Sequence, residues 1–226
     1  MADRPALWEA NRSRAMNEVY WPKPAPTILP KDLLGFYDFI AKHIGSERNI
    51  TYLEFGVAQG RSIKKIAELF THPEARFYGF DSFEGLPESW LMHDVGAFTN
   101  NGRLPQTDDK RVSFVQGWFQ NTVPGFLEEF PKDSRGLTLI HIDADLYSST
   151  LFVLTMLWPV FDEFYIIFDD FIYDEVIALR DFLTAFPVDL QFFAQTKGGG
   201  ERPNPDQVFG HMKRKRFELP AKAASE

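Results

Sequence analysis

The chain has 226 residues, 44% of them hydrophobic and 15% aromatic, enough for one sizeable domain with an apolar core. With no cysteine, disulfides and cysteine-ligated metals are excluded, and no stretch approaches the ~20 apolar residues of a membrane-spanning helix. A net charge of −8 argues against nucleic acid as a partner, because phosphate binding needs a basic face.

The N-terminus MADRPALWEANRSR is charged and lacks the apolar centre of a signal peptide, so a cytoplasmic protein is expected. Residues 1–30 read as a polar, Pro-rich arm with one short helix, anchored by Tyr20, Trp21 and Ile28. Such an arm suits a lid over a site or a loose end, and its apolar residues from Trp8 to Ile28 also suit a homodimer contact. Residues 31–216 are expected to form the domain, and 217–226 a tail.

Leu33, Tyr37, Ile40 and Ile44 recur at helical spacing, and Gly45 is a stop signal. Ile50 to Val57 reads as a strand, Ser62 to Phe70 as an amphipathic helix and Arg76 to Phe80 as a second strand. Residues 88–110 form a long polar connection. Strand 112–116, helix 123–130, strand 137–142, helix 148–158, strand 164–168 and helix 173–186 continue the alternation. Two last strands, 190–194 and 207–212, flank Gly198-Gly199-Gly200 without a crossover helix, so they are expected to pair antiparallel at an edge. Alternation with continuous apolar strands predicts a mostly parallel sheet of seven strands, covered by helices on both faces. The basic run Lys213–Arg216 reads as a solvated terminal segment.

The chemistry gathers where strands end. Glu54-Phe55-Gly56-Val57-Ala58-Gln59-Gly60 follows the first strand, and glycine there permits a sharp turn and close approach of a ligand. The G-x-G-x-x-G pattern of dinucleotide enzymes is absent, which suits a nucleoside cofactor without a pyrophosphate. Asp81 ends the next strand, at the distance from the glycine turn where an acid accepts hydrogen bonds from ribose hydroxyls, or else caps a turn. Asp143, Asp145, Asp169 and Asp170 follow two strongly apolar strands. Ligands bind at that edge of open α/β sheets. Asp143 and Asp145 share a side if the chain stays extended, whereas Asp169 and Asp170 serve one site only if the chain turns. Crowded carboxylates repel, so an oxygen-liganded cation such as Mg2+ is expected. His141 lies within its strand and reads as a satisfied core residue.

These strings, with Asp81-Ser82-Phe83-Glu84-Gly85-Leu86-Pro87, Gly117-Trp118-Phe119, His141-Ile142-Asp143-Ala144-Asp145-Leu146-Tyr147 and Phe168-Asp169-Asp170, resemble class I S-adenosylmethionine-dependent methyltransferases. The similarity is greatest to the macrocin O-methyltransferase family, which methylates sugar hydroxyls in bacterial natural products, and it runs from about Tyr52 to Met212. The resemblance implies a Rossmann-like fold, S-adenosyl-L-methionine as donor and a small-molecule acceptor. It implies donor contacts from Glu54, Phe55, Gly56, Gly60, Ser62, Asp81, Ser82, Phe83, Gly117, Trp118 and Asp143. It also implies divalent-metal ligation by Asp143, Asp169 and Asp170, with Asp145 as general base. The family's W-R-G-G turn is replaced by Ala58-Gln59-Gly60-Arg61, and Leu146 stands where many catechol-type enzymes carry lysine. The alternatives are a metal-independent methyltransferase acting on nitrogen or carbon, a nicotinamide-dependent oxidoreductase, and a non-catalytic cofactor-binding protein.

Overall fold

The computed structural model describes residues 4–130, 136–198 and 205–216; the expected tail 217–226, and Gly199 and Gly200, lie outside them. Helix α1 (Arg4–Ala15) runs through a π-helical turn (Met16–Tyr20) to a short strand β1 (Thr27–Leu29). The alternating unit follows as α2 (Leu33–Ile44), β2 (Ile50–Phe55), α3 (Arg61–Leu69), β3 (Arg76–Asp81), β4 (Val112–Gln116), α4 (Phe119–Glu129), β5 (Leu137–Ile142), α5 (Tyr147–Leu157) and β6 (Glu163–Phe168). A second π-helical turn (Phe171–Glu175) leads to α6 (Val176–Ala185), β7 (Val188–Lys197) and β8 (Pro205–Arg214).

One sheet holds eight strands in the order β1-β7-β8-β6-β5-β2-β3-β4. All neighbours pair parallel except β8, which is antiparallel to both β6 and β7. The expected seven strands are present, with the hairpin formed by β7 and β8. The eighth comes from the arm: Thr27, Ile28 and Leu29 pair with Ala194, Gln195 and Thr196 and cover the edge of β7. β8 therefore lies inside the sheet, beside β6.

Strands β2 and β5 are predominantly apolar and buried along nearly their whole length because helices cover both faces. On one face Tyr52, Phe77, Leu139 and Ile167 pack with Phe36 and Ile40 of α2 and Ile63 and Ile66 of α3. On the other, Phe55, Phe80, Ile140 and Phe168 join Val123, Val153, Leu154, Leu179 and Phe182 from α4, α5 and α6, with Met16 and Tyr20 of the arm. Much of the abundant phenylalanine belongs here; Phe55 stacks on Phe80 at 4.8 Å, with Phe126 edge-on to Phe80 at 4.9 Å.

Local chemistry sets the ends of α2. The Asp32 carboxylate accepts the Leu34 N–H at 3.1 Å, and Gly45 closes the helix at φ 100°. Two helices depart from the expected spans. α4 starts at Phe119, not Val123, so Pro124 lies within it; burial of Val123 and Leu127 holds the helix through the missing donor. Regular helix after β6 starts at Val176, because Tyr173 (φ −104°, ψ −129°) breaks the helical path.

Each member of the basic run meets an acid. Lys213 pairs with Glu163 at 3.2 Å, Arg214 with Asp162 at 3.2 Å, Lys215 with Asp189 at 3.4 Å and Arg216 with Asp162 at 3.3 Å. Among the described residues no helix is long and apolar enough to cross a membrane.

Candidate active site

Just beyond the strand ends the sheet's hydrogen bonding continues for one more step. Gly117 N–H donates to Asp81 O at 2.9 Å, Gly56 N–H to Phe80 O at 2.9 Å, Asp143 N–H to Phe55 O at 2.9 Å and Asp169 N–H to Ile142 O at 3.0 Å. All five loops therefore leave the sheet at one level. Gly56 and Asp143 flank the gap between β2 and β5, where the strand order reverses, the usual place for a ligand in such sheets. A Cβ on Gly56 would lie 1.7 Å from the Asp143 carbonyl oxygen, and its φ is +94°, so this position admits glycine alone.

A cavity of about 290 Å³ opens there. Gly56, Ala58, Asp81, Ser82, Gly117 and Trp118 line one part of it. Asp143, Asp145 and Asp170 line another, beside Leu86, Trp90 and Phe98. A second, more open pocket past Asp143 is lined by Tyr37, Arg61, Ser62 and Asp169.

Asp81 braces the loops. Its carboxylate accepts Val57 N–H at 2.7 Å, Ala58 N–H at 2.8 Å and Phe83 N–H at 2.6 Å. Three of about four lone-pair sites are thereby taken, which leaves one free for a further donor. Ser82 and Trp118 reach the cavity, while Glu54, Phe55 and Phe83 are buried behind its wall. Gly60 caps α3 in a left-handed conformation (φ 69°) and touches neither pocket.

Glu54 acts from behind through a buried network. It accepts Ser62 Oγ–H at 2.7 Å and Tyr52 O–H at 2.5 Å, and the Tyr52 oxygen lies 2.7 Å from His141 Nδ1. His141 is fully buried, as expected, but among the described residues only Nδ1 has a hydrogen-bond partner; Nε2 stands 3.6 Å from Asp169 Oδ1. Burial pushes the imidazole pKa down, but the carboxylates of Asp169 and Glu54 override that and hold it at about 10. The ring thus lies between two acids that favour its charged form.

The four aspartates converge, but not as one set. Asp143, Asp145 and Asp170 bring carboxylate oxygens within 4.8 Å of one another, and so do Asp143 and Asp169 together with a ring nitrogen of His141. Asp143 belongs to both groups, and the expected trio Asp143, Asp169 and Asp170 is not itself such a group among the described residues. The backbone does turn at Asp170 (φ −110°, ψ 49°), yet the neighbouring carboxylates still face different partners. Nor does the chain stay extended through Asp145. Asp145 has φ +59°, and Leu146 N–H donates back to Ala144 O at 2.5 Å, so a tight three-residue turn aims its carboxyl at Asp170.

Electrostatics separates the four acids. Burial, then the charge of Asp169, pushes Asp143 far up. Burial and the neighbouring Asp170 raise Asp145, while burial and Asp169 raise Asp170. Burial opposes ionisation of Asp169 too, but the His141 ring 3.6 Å away and the Gln207 side-chain amide outweigh it and hold that carboxyl low. The Gln207 side-chain amide donates to Asp169, and its backbone N–H is fixed on Thr196 Oγ1 at 3.0 Å. The Asp143–Asp145–Asp170 group offers oxygen donors only, and the mutual repulsion that raises these carboxyls is what a hard divalent cation would relieve.

Gln207, Tyr52 and Glu175 escaped the sequence reading. Glu175 is fully buried, and its Oε2 accepts the Asp170 N–H at 3.2 Å. A polar residue inside an apolar helix or strand was the available signal, but its partner lies in another element.

The family model described as Macrocin-O-methyltransferase (TylF) matches residues 9–189. An 8-demethyl-8-(2,3-dimethoxy-alpha-L-rhamnosyl)-tetracenomycin-C 4'-O-methyltransferase of Streptomyces olivaceus is 31% identical over 153 residues, covering 57% of this chain and 54% of the relative. A demethyldecarbamoylnovobiocin O-methyltransferase of Streptomyces niveus is 28% identical over 174 residues, covering 67% and 64%. The chain thus spans between about half and two thirds of the length of these relatives. Among solved structures, the O-methyltransferase NovP superposes with a TM-score of 0.51 at 23% identity over 81% of this chain and 79% of that one. An O-methyltransferase from Bacillus cereus in complex with SAH gives 0.53 at 16% identity over 91% of each chain. These likenesses establish the Rossmann-like methyltransferase fold.

Proposed function

The chain belongs to the macrocin O-methyltransferase family, and from that premise we propose that it transfers a methyl group from S-adenosyl-L-methionine to a hydroxyl oxygen of a small molecule, such as a sugar or another natural product, with a divalent cation beside the acceptor. The supporting observation is one cavity in which the Gly56–Asp81–Gly117 cradle faces Asp143, Asp145 and Asp170. The printed name of the relative from Streptomyces olivaceus, a 4'-O-methyltransferase of a rhamnosyl compound, supports a sugar hydroxyl as the acceptor.

We assign the donor's nucleoside end to Gly56, Asp81, Ser82, Gly117 and Trp118, and its methionine end to Ser62 and Asp143. Glu54, Phe55, Gly60 and Phe83 shape that cradle from behind. The donor's sulfonium supplies both the methyl group and the leaving group. Asp143 and Asp170, which share one group of carboxylates, would hold a cation such as Mg2+, and Asp169 would join them only by turning from His141 and Gln207; the cation's charge favours the ionised form of a neighbouring hydroxyl. Asp145 takes the acceptor's proton. Its carboxyl is raised by burial and by Asp170, toward the range in which a base works near neutral pH. Trp90, Phe98 and Trp118 keep water from the reacting atoms and offer apolar faces to the acceptor.

Calorimetry tests this reading. S-adenosylhomocysteine is expected to bind and NADH not to, and Mg2+ is expected to bind the wild type but not Asp143→Ala. Binding of NADH without S-adenosylhomocysteine would remove the methyltransferase reading, and absence of Mg2+ binding would remove the cation.

A further inference from the structure

The segment after Asp170 is held from outside by the N-terminal arm, one residue after another. The Tyr20 ring packs edge-on to Phe171 at 5.6 Å between centroids. Arg12 Nη1 donates to Ile172 O at 3.4 Å. The Trp8 ring stacks on Tyr173 at 6.4 Å with an interplanar angle of 22°. Trp8 Nε1–H donates to Asp174 Oδ1 at 2.5 Å. Four consecutive residues, Phe171 to Asp174, thus each take a contact from α1 or the turn that follows it.

The same segment carries the site. Tyr173 N–H donates to Asp170 O at 3.0 Å, and Asp170 N–H donates to Glu175 Oε2 at 3.2 Å, so the turn closes on Asp170. The other side of Tyr173 meets Trp90 edge-on at 5.7 Å, within the small apolar cluster of Leu86, Trp90 and Leu146 that borders Asp145. The arm's remaining long-range bonds run to β7, through Tyr20 O–H to Gln195 and the β1 ladder, and just past the arm Lys31 pairs with Asp206 of β8 at 2.5 Å. Among the described residues, the arm's hydrogen bonds, ion pairs and ring contacts reach none of Gly56, Asp81 or Gly117.

We propose that the arm is a clamp on the acceptor side of the site, in which Trp8, acting through Asp174 and Tyr173, is a positioning residue for Asp170. A π-helical turn has few internal bonds to fix it, so outside contacts decide where it lies. The donor cradle rests on strand ends and is independent of this clamp. The consequence for ligands rests on the cation reading above; the consequence for backbone order does not.

The experiment compares the full-length wild type with Trp8→Ala, Trp8→Phe and Asp174→Asn. Amide hydrogen exchange is read by peptide, and calorimetry is run with Mg2+ alone and with S-adenosylhomocysteine alone. In Trp8→Ala, peptides covering 169–175 should exchange about tenfold faster or more, since a hydrogen bond to a charged group and a ring stack are lost together. Peptides of β2 and β3 should be unchanged. Mg2+ should bind about tenfold more weakly, while S-adenosylhomocysteine stays within about twofold of wild type. Trp8→Phe keeps the stack and should lie between wild type and Trp8→Ala. Unchanged exchange at 169–175, or donor binding weakened as much as Mg2+ binding, overturns the clamp. If the wild type itself binds no Mg2+, the cation reading falls, and localised exchange at 169–175 still decides the clamp.

Discussion

Replacing Gly56 by alanine probes the point where the donor cradle touches the acids. The new Cβ would sit 1.7 Å from the Asp143 carbonyl oxygen, whereas ordinary contact begins at 3.4 Å, so the two must separate by roughly 1.7 Å. Alanine must also hold φ +94°, a conformation that costs a residue with a Cβ about 1–3 kcal/mol. The carbonyl that must give way belongs to a proposed ligand and donor contact, and about 1 Å of misplacement at a reacting site costs on the order of 10²-fold in rate. We therefore expect Gly56→Ala to lose about 1–3 kcal/mol of stability, to weaken S-adenosylhomocysteine binding at least tenfold and to lower turnover about 10²-fold. The assays are urea unfolding, calorimetry and a methyl-transfer rate. Gly125→Ala is the control: its Cβ meets nothing within 4 Å inside α4, so it should gain about 0.5–1 kcal/mol. Wild-type stability and donor affinity in Gly56→Ala would refute the account of the cradle.

Asp145→Asn should lower kcat by about 10²–10⁴-fold with S-adenosylhomocysteine affinity unchanged; unaltered turnover would show that another group takes the proton. Tyr52→Phe removes the hydroxyl shared by Glu54 and His141 and should cost about 1–3 kcal/mol by urea unfolding, and a neutral result would mean water replaces it. EDTA should abolish methyl transfer and added Mg2+ restore it, and full activity in chelator would take the cation out of the reaction.

Most of the sheet was legible because parallel strands buried on both faces leave predominantly apolar runs, as in Leu137–Ile142, whose bounds match the sequence reading. The strand-end acids were legible for the same reason: carboxylates directly after such runs lie at the sheet's ligand edge. β1 was not, because three residues between prolines carry too little pattern and its partner lies more than 160 residues away. The start of α4 was missed because Pro124 reads as a first-turn residue, while burial of Val123 and Leu127 decides the outcome. Side-chain direction was the deepest gap. Asp169 and Asp170 are adjacent in sequence, yet His141 and Gln207 draw one carboxylate inward while Asp145 meets the other. The arm left open a lid and a loose end; Trp8 and Tyr20 hold it against the turn that follows the acids.

The most direct test of the central claim is a crystal structure grown with S-adenosylhomocysteine and Mg2+. The account predicts nucleoside density between Gly56, Asp81 and Gly117, and an ion on the Asp143 carboxylate beside Asp145. Donor density elsewhere in the fold, or an ion that does not touch Asp143, would contradict it.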